Sequence, residues 1–305
     1  MKTSADWSKS KMDGKRFWDP SKSVAERLPN DLVVSCEQPG IMPSPHWHAQ
    51  VEVNYVFRGS IDYAMHGHRV QFEEGDLALF WGGLPHRVVD TGQDTYYHAI
   101  HLPLLHFFRL RFTPDLQQRL MRGATLVTGE PCEDDAPAFT RRARAFLSAD
   151  GRVISHATDE LLLRLERIGL EPHRIHEPNE AGAEPADAGD NPSFETIRRI
   201  CGFIAENFRS EFDAVDVAVA ADIHPKYAMS VFKRSTGMSL GEYVSLMRIS
   251  FAQAQLRDGE ESITQIAMDS GFGSLSAFNK CFRKKTGTTP SEFRRARHRP
   301  VSAET

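Results

Sequence analysis

The chain has 305 residues, 40% of them hydrophobic and 26% charged, with a net charge of −4. That length suits two domains, and the ordinary balance excludes a disordered or fibrous chain. A membrane-spanning helix is excluded because no run of 18 apolar residues occurs. A cysteine zinc site is excluded because Cys36, Cys132, Cys201 and Cys281 form no CxxC pair, and such spacing fits a reducing cytoplasm.

Met1 to Lys22 is polar, rich in Lys and Ser, and lacks the apolar core of a signal peptide. Five short β-prone runs follow: Val51 to Phe57, Ser60 to Met65, Arg69 to Phe72, Asp76 to Phe80 and Tyr96 to Leu102. Gly59, His66-Gly67-His68, Glu74-Gly75 and Gly82-Gly83 punctuate them, which predicts a sandwich or barrel. His46, His48 and Glu52 share strand parity, so they fall on one face. With His86 they would offer three imidazoles and a carboxylate, a donor set for a divalent metal, or they would line a polar pocket for an organic ligand. Trp47 and Trp81 offer stacking faces for a sugar, although tryptophans in a barrel are more often core.

Helical periodicity begins after Pro131. Ala136 to Ala149 and Arg152 to Gly169 are predicted as two amphipathic helices that pack on the strands or pair between subunits. Glu171 to Ser193 is rich in Pro, Gly, Ala and acids and reads as a flexible linker. It divides a first part, 1–170, from a second, 194–305. From Ser193 to Thr305 the net charge is +3, which leaves −7 for the remainder. A basic module on an acidic one suits a DNA reader carrying a regulatory part.

The second part is helical and repeats itself. Phe232-Lys233-Arg234-Ser235-Thr236-Gly237 recurs as Phe282-Arg283-Lys284-Lys285-Thr286-Gly287, and Val217-Ala218 recurs as Ile266-Ala267. Each copy reads as helix, tight turn, helix. Asp222-Ile223-His224 makes the first turn, with Pro225 opening the next helix; Ser262 caps Ile263 to Asp269, Gly271 makes the second turn, and Ser274 begins the last helix. Helix periodicity turns Lys226, Met229, Ser230 and Lys233 outward in the first copy. It does the same for Leu275, Ser276, Asn279, Lys280 and Arg283 in the second, as residues that face DNA. Two like units 49–50 residues apart can set two helices in successive grooves.

Two resemblances follow from these residues. Gly40, His46, His48, Glu52 and Gly59, then Gly75, Gly83 and His86, resemble the two motifs of the cupin family, with Trp81 in place of its proline and Asp90 in place of its asparagine. The altered second motif predicts a displaced His86, hence no bound metal and no cofactor. Ile263, Ile266-Ala267, Gly271-Phe272, Phe278, Phe282, Gly287, Pro290 and Phe293-Arg294 resemble the AraC/XylS family of transcription regulators. The resemblance extends to Ile41-Met42-Pro43, Gln50 to Asn54 and Asp90-Thr91-Gly92.

It implies an α+β chain: a cupin-like β-barrel with a following helical pair, a linker, and an all-α domain of two helix-turn-helix units. The implied function is a cytoplasmic, homodimeric activator of promoters that contacts double-stranded DNA and RNA polymerase. Its implied effector is a sugar such as an α-galactoside, held by His46, Trp47, His48, Glu52, Trp81 and His86. The competing readings are a metal-dependent cupin enzyme tethered to DNA and an architectural DNA binder without an effector.

Overall fold

A computed structural model describes residues 32–43, 45–65, 68–178, 192–236 and 238–296. The polar N-terminal stretch, the His66-Gly67 turn and residues 179–191 of the acidic stretch lie outside the described residues. Strands β1 (Val33–Glu37), β2 (Val51–Arg58), β3 (Ser60–Met65), β4 (His68–Glu73), β5 (Leu77–Trp81), β6 (His86–Thr91) and β7 (Tyr96–Leu102) come first. Helices α1 (Leu104–Phe107) and α2 (Pro114–Met121) and strand β8 (Thr125–Thr128) follow, then α3 (Asp135–Phe146), α4 (Gly151–Ile168) and β9 (His173–His176). The remainder is helical: α5 (Pro192–Asn207), α6 (Ala214–Ala220), α7 (Pro225–Thr236), α8 (Leu240–Asp258), α9 (Ile263–Asp269), α10 (Leu275–Thr286) and α11 (Pro290–Ala296). No described helix is long and apolar enough to cross a membrane.

The strands form an antiparallel six-stranded sheet, β1-β7-β2-β5-β8-β9, and a three-stranded sheet, β4-β3-β6. Gly59 alone separates β2 from β3, yet the two strands lie in different sheets. The sheets therefore face each other without closing, and the expected barrel is an open cupin sandwich. One bridge, His46 to His86, ties the segment before β2 to the small sheet. The first residues of the acidic stretch also join the fold, because β9 pairs with β8 and Ile175 packs on the core.

Alternation along β2 decides what each face of the large sheet buries. Val51, Val53 and Tyr55 belong to one apolar cluster with Leu104, Phe107, Phe139, Leu161 and Leu165 of the helices. Glu52, Asn54 and Val56 turn toward the small sheet, where Val56 packs with Ile61, Phe72, Phe80 and Val88. Arg164 on α4 grips the buried Asp135 at the start of α3 with two bonds of 2.6 and 2.7 Å.

The helix-covered cluster does not stop at α4. It runs on through Ile200, Ile204 and Phe208 of the α5 segment to Val231, Phe232, Tyr243 and Met247, so the first helix-turn-helix unit and the sheet share one core. The second unit has its own core of Ile249, Leu256, Ile266, Phe278 and Phe282. Helix α8 contributes to both, which makes it the bar that joins the two units.

Candidate functional site

The helical part presents two like helices, α7 and α10. On α7, Ala228, Val231 and Phe232 are fully buried, while Lys226, Met229, Ser230 and Lys233 form an exposed stripe at i, i+3, i+4 and i+7. On α10, Phe278 and Phe282 are buried, while Ser276, Asn279, Lys280 and Arg283 form the matching exposed stripe. Ser262 and Ser274 cap α9 and α10 by accepting from the backbone N–H of Gln265 and Ala277, and Gly271 makes the turn between them. Asp222, at a φ of 55°, makes the corresponding turn in the first unit. Leu275 differs from the other residues expected to face DNA. It stands three and seven positions before Phe278 and Phe282, which is the core stripe of the same helix, and it packs half-buried against them. The exposed stripe of α10 borders an open basic cleft lined by Asn279, Lys280, Arg283, Lys284, Pro290 and Ser291.

A polar cluster lies between the sheets. His46, His48, Glu52 and His86 are all buried, and one ligand atom from each lies within 4.8 Å of the others. Glu52 Oε2 sits 3.1 Å from His48 Nε2 and 3.0 Å from His86 Nε2. Its Oε1 accepts from the Tyr63 hydroxyl at 2.9 Å and from Asn54 Nδ2 at 3.2 Å. His86 is not displaced by Trp81, because its backbone bridges His46 and its Nδ1 donates to the Leu84 carbonyl at 2.8 Å. That bond leaves Nε2 aimed into the cluster. Close packing underlies the arrangement: a Cβ on Gly82 would collide with the His48 ring and come within 2.7 Å of the Gln50 carbonyl. Burial would raise the Glu52 pKa, but the bonds from His48 and His86 outweigh it and hold the carboxyl well below its usual range. Burial lowers His48, and burial together with the neighbouring His86 and His48 lowers His46 well below the usual value.

These residues fit a divalent transition-metal ion, with Glu52 Oε2 and the imidazoles of His46, His48 and His86 as the atoms that would hold it. The buried His46 Nδ1 has no hydrogen-bond partner among the described residues, as a nitrogen held for a ligand would not.

Known proteins match both parts. A helix-turn-helix domain family matches residues 217–296, and a cupin domain family matches residues 33–100. The melibiose operon regulatory protein of Escherichia coli K12 is 31% identical over 265 residues, covering 87% of each chain. This chain belongs to the AraC/XylS family of transcription regulators. The transcriptional activator RhaR of Yersinia pestis is 24% identical over 89% of this chain and 88% of its own. Among solved structures, the C-terminal domain of AraT from Geobacillus stearothermophilus is 26% identical, with a TM-score of 0.33 over 38% of this chain and 92% of its own.

As an AraC/XylS regulator the protein binds DNA, and in its helix-turn-helix part α7 and α10 each present an exposed polar stripe. Replacing Lys280 with Ala is expected to weaken DNA binding by about 1–3 kcal/mol if the side chain reads a base edge, or by a smaller, sequence-independent step if it meets phosphate. Fluorescence anisotropy on matched and mutated sites separates these outcomes.

In the same regulator the tryptophans expected to stack a sugar face away from the cluster. His46 and His48 point between the sheets, so Trp47, one position out of phase, points to the helix side. Phe80 and Trp81 split the same way. Both indoles are buried against the first helix-turn-helix unit. His101 was missed by sequence reasoning. It is buried directly opposite Glu52 on β7 and stacks on His48 at 4.2 Å. Burial holds its pKa down to about 3. The signal lay only in cross-strand register.

Proposed function

We propose that this regulator is a transcription activator that responds to a sugar, an α-galactoside such as melibiose, bound by its effector domain. The observation that carries the reading is the reach of the similarity. The melibiose operon regulatory protein matches across 87% of the chain, through the sensing part as well as the DNA-binding part. His46, His48, Glu52 and His86 supply the polar groups that hydroxyl-rich ligands need, and His101 adds a fifth. In this reading residues 1–170 sense and pair, 171–193 join, and 194–305 bind DNA and meet RNA polymerase, in the cytoplasm. Val153 and Leu163, exposed on α4, support pairing of two copies. Titration calorimetry of the full chain with α- and β-galactosides, glucosides and pentoses tests it. Heat is expected from α-galactosides, melibiose among them, and heat from no sugar would sink the assignment.

One observation favours a second reading, in which the cluster holds a divalent cation: the convergence of three imidazoles and a carboxylate in a buried site. The ion would supply a fixed positive charge there, able to polarise a bound hydroxyl. Elemental analysis of untagged protein decides it. One equivalent of a transition metal, lost in His48→Ala, would establish the ion, and no metal would leave the four side chains to an organic ligand.

A further inference from the structure

The two segments that carry the cluster also grip the DNA-binding part. In the extended run 46–48, the outer two residues enter the cluster and the middle one leaves it on the opposite side. Trp47 Nε1 donates to the Ser235 carbonyl at 3.2 Å, near the end of helix α7. Its ring meets Tyr243 edge-on at 5.9 Å and lies 6.5 Å from Phe232. Trp81, across from Val51 on β5, lies against the same Tyr243, near parallel to its ring at 6.5 Å and 20°. Its segment continues through Gly82 and Gly83 to His86. His48 N–H donates to the Gly82 carbonyl at 2.8 Å, so the two segments move together.

Other contacts join the two parts: Arg109 with Asp258 at 2.8 Å, Arg122 with Glu206 at 2.8 Å, and Phe108 between Phe208 and Phe251. These come from α1, α2 and their flanks, which carry no member of the cluster. Trp47 and Trp81 alone, among these contacts, lie on backbone shared with the cluster.

We propose that Trp47 and Trp81 form a clamp on Tyr243 that transmits occupancy of the His46–His48–Glu52–His86 cluster to the first helix-turn-helix unit. The proposal deepens, and rests on, the reading of that cluster as the effector site. The physics is that of a stiff extended segment with two faces. A group inserted among His46, His48 and His86 must displace their rings, because the site is closely packed around Gly82. With neighbouring side chains on opposite faces of one short segment, that displacement rotates Trp47. Phe232 and Tyr243 have no exposed side to yield into, so the motion passes to α7 and α8. The DNA-facing stripe of α7 stays exposed in the clamped state. The clamp therefore sets the angle between the recognition helices through α8, and does not cover them.

A double-mutant cycle on the full chain, with no ligand added, tests the clamp apart from the identity of the effector. The probe is a DNA duplex recovered from a random pool by the wild-type protein. Glu52→Gln perturbs the cluster, and Trp47→Leu cuts the link. E52Q is expected to change DNA affinity at least threefold in the wild-type background and by distinctly less beside W47L, where Trp81 alone still meets Tyr243. An equal change in both backgrounds, or no change in the wild-type background, would overturn the proposal. If E52Q does not fold, His101→Gln takes its place in the cycle, and hydrogen exchange across residues 225–243 provides the second readout, with faster exchange expected only where Trp47 is intact. Calorimetry that finds no sugar binding would instead fault the effector assignment, and would leave this cycle able to succeed or fail on its own.

Discussion

Acidified from pH 7 to pH 5, the protein is expected to lose several kcal/mol of stability and to unfold first in its effector domain. Five histidines there are held neutral. Burial takes His98 down to about 4 and both His101 and His106 down to about 3; it lowers His48 and, with the neighbouring imidazoles, lowers His46 well below the usual value. In the unfolded chain each titrates near 6.5. Between that value and the folded one, the unfolded state binds a proton that the native state does not, so stability falls as pH falls. For His98, His101 and His106 the loss is about 2 kcal/mol each by pH 5, against the 5–15 kcal/mol typical of a folded domain, and His46 and His48 add to it in the same direction. Glu52 acts in a different window. Its folded pKa is depressed, so its contribution is intact above the unfolded value near 4.5 and drains only as pH falls through the lower folded value. It cannot account for a loss between pH 7 and 5. The core of the second helix-turn-helix unit holds no histidine, so it should outlast the effector domain. Urea unfolding at pH 7.5, 6 and 5 checks this, with Trp47 and Trp81 as buried fluorophores. A midpoint independent of pH would contradict it.

Raising salt from 50 to 200 mM is expected to weaken DNA binding by about a thousandfold. Exposed on or beside the two stripes are Lys226, Lys233, Arg234, Lys280, Arg283 and Lys284, with Arg295 on α11. If about six of these meet phosphate, counterion release gives a log–log slope near −5. The whole chain carries −4, so the attraction is local to this face and does not come from the net charge. Anisotropy at a series of salt concentrations measures the slope, and a slope near −1 would mean that these side chains do not face the backbone.

Much of this was legible in the sequence where one period governed one segment. The helix-turn-helix units were readable because each core stripe, such as Ala228, Val231 and Phe232, is apolar and each outward stripe is polar. Strand β6 was hidden because it is short and only Val88 and Val89 are apolar, with His86 as its first inward residue. In the cluster, His46, His48 and Glu52 followed from strand parity and His86 from the second cupin motif. The same parity, carried one residue further, sends Trp47 and Trp81 out of the pocket and into the DNA-binding part, which the sugar-stacking expectation had not used. Which residues lie opposite one another across strands is set by register, and that is why His101 escaped notice.

The account stands most directly on whether the full-length protein selects DNA through both recognition helices. Selection from a random duplex pool, followed by footprinting of the winners, measures this. The expected result is one enriched asymmetric sequence with two protected blocks about one helical turn apart, roughly 10 base pairs, the block read by α10 fading in Lys280→Ala. Binding with no enriched sequence at low salt, or protection of a single block unaffected by that substitution, would contradict it.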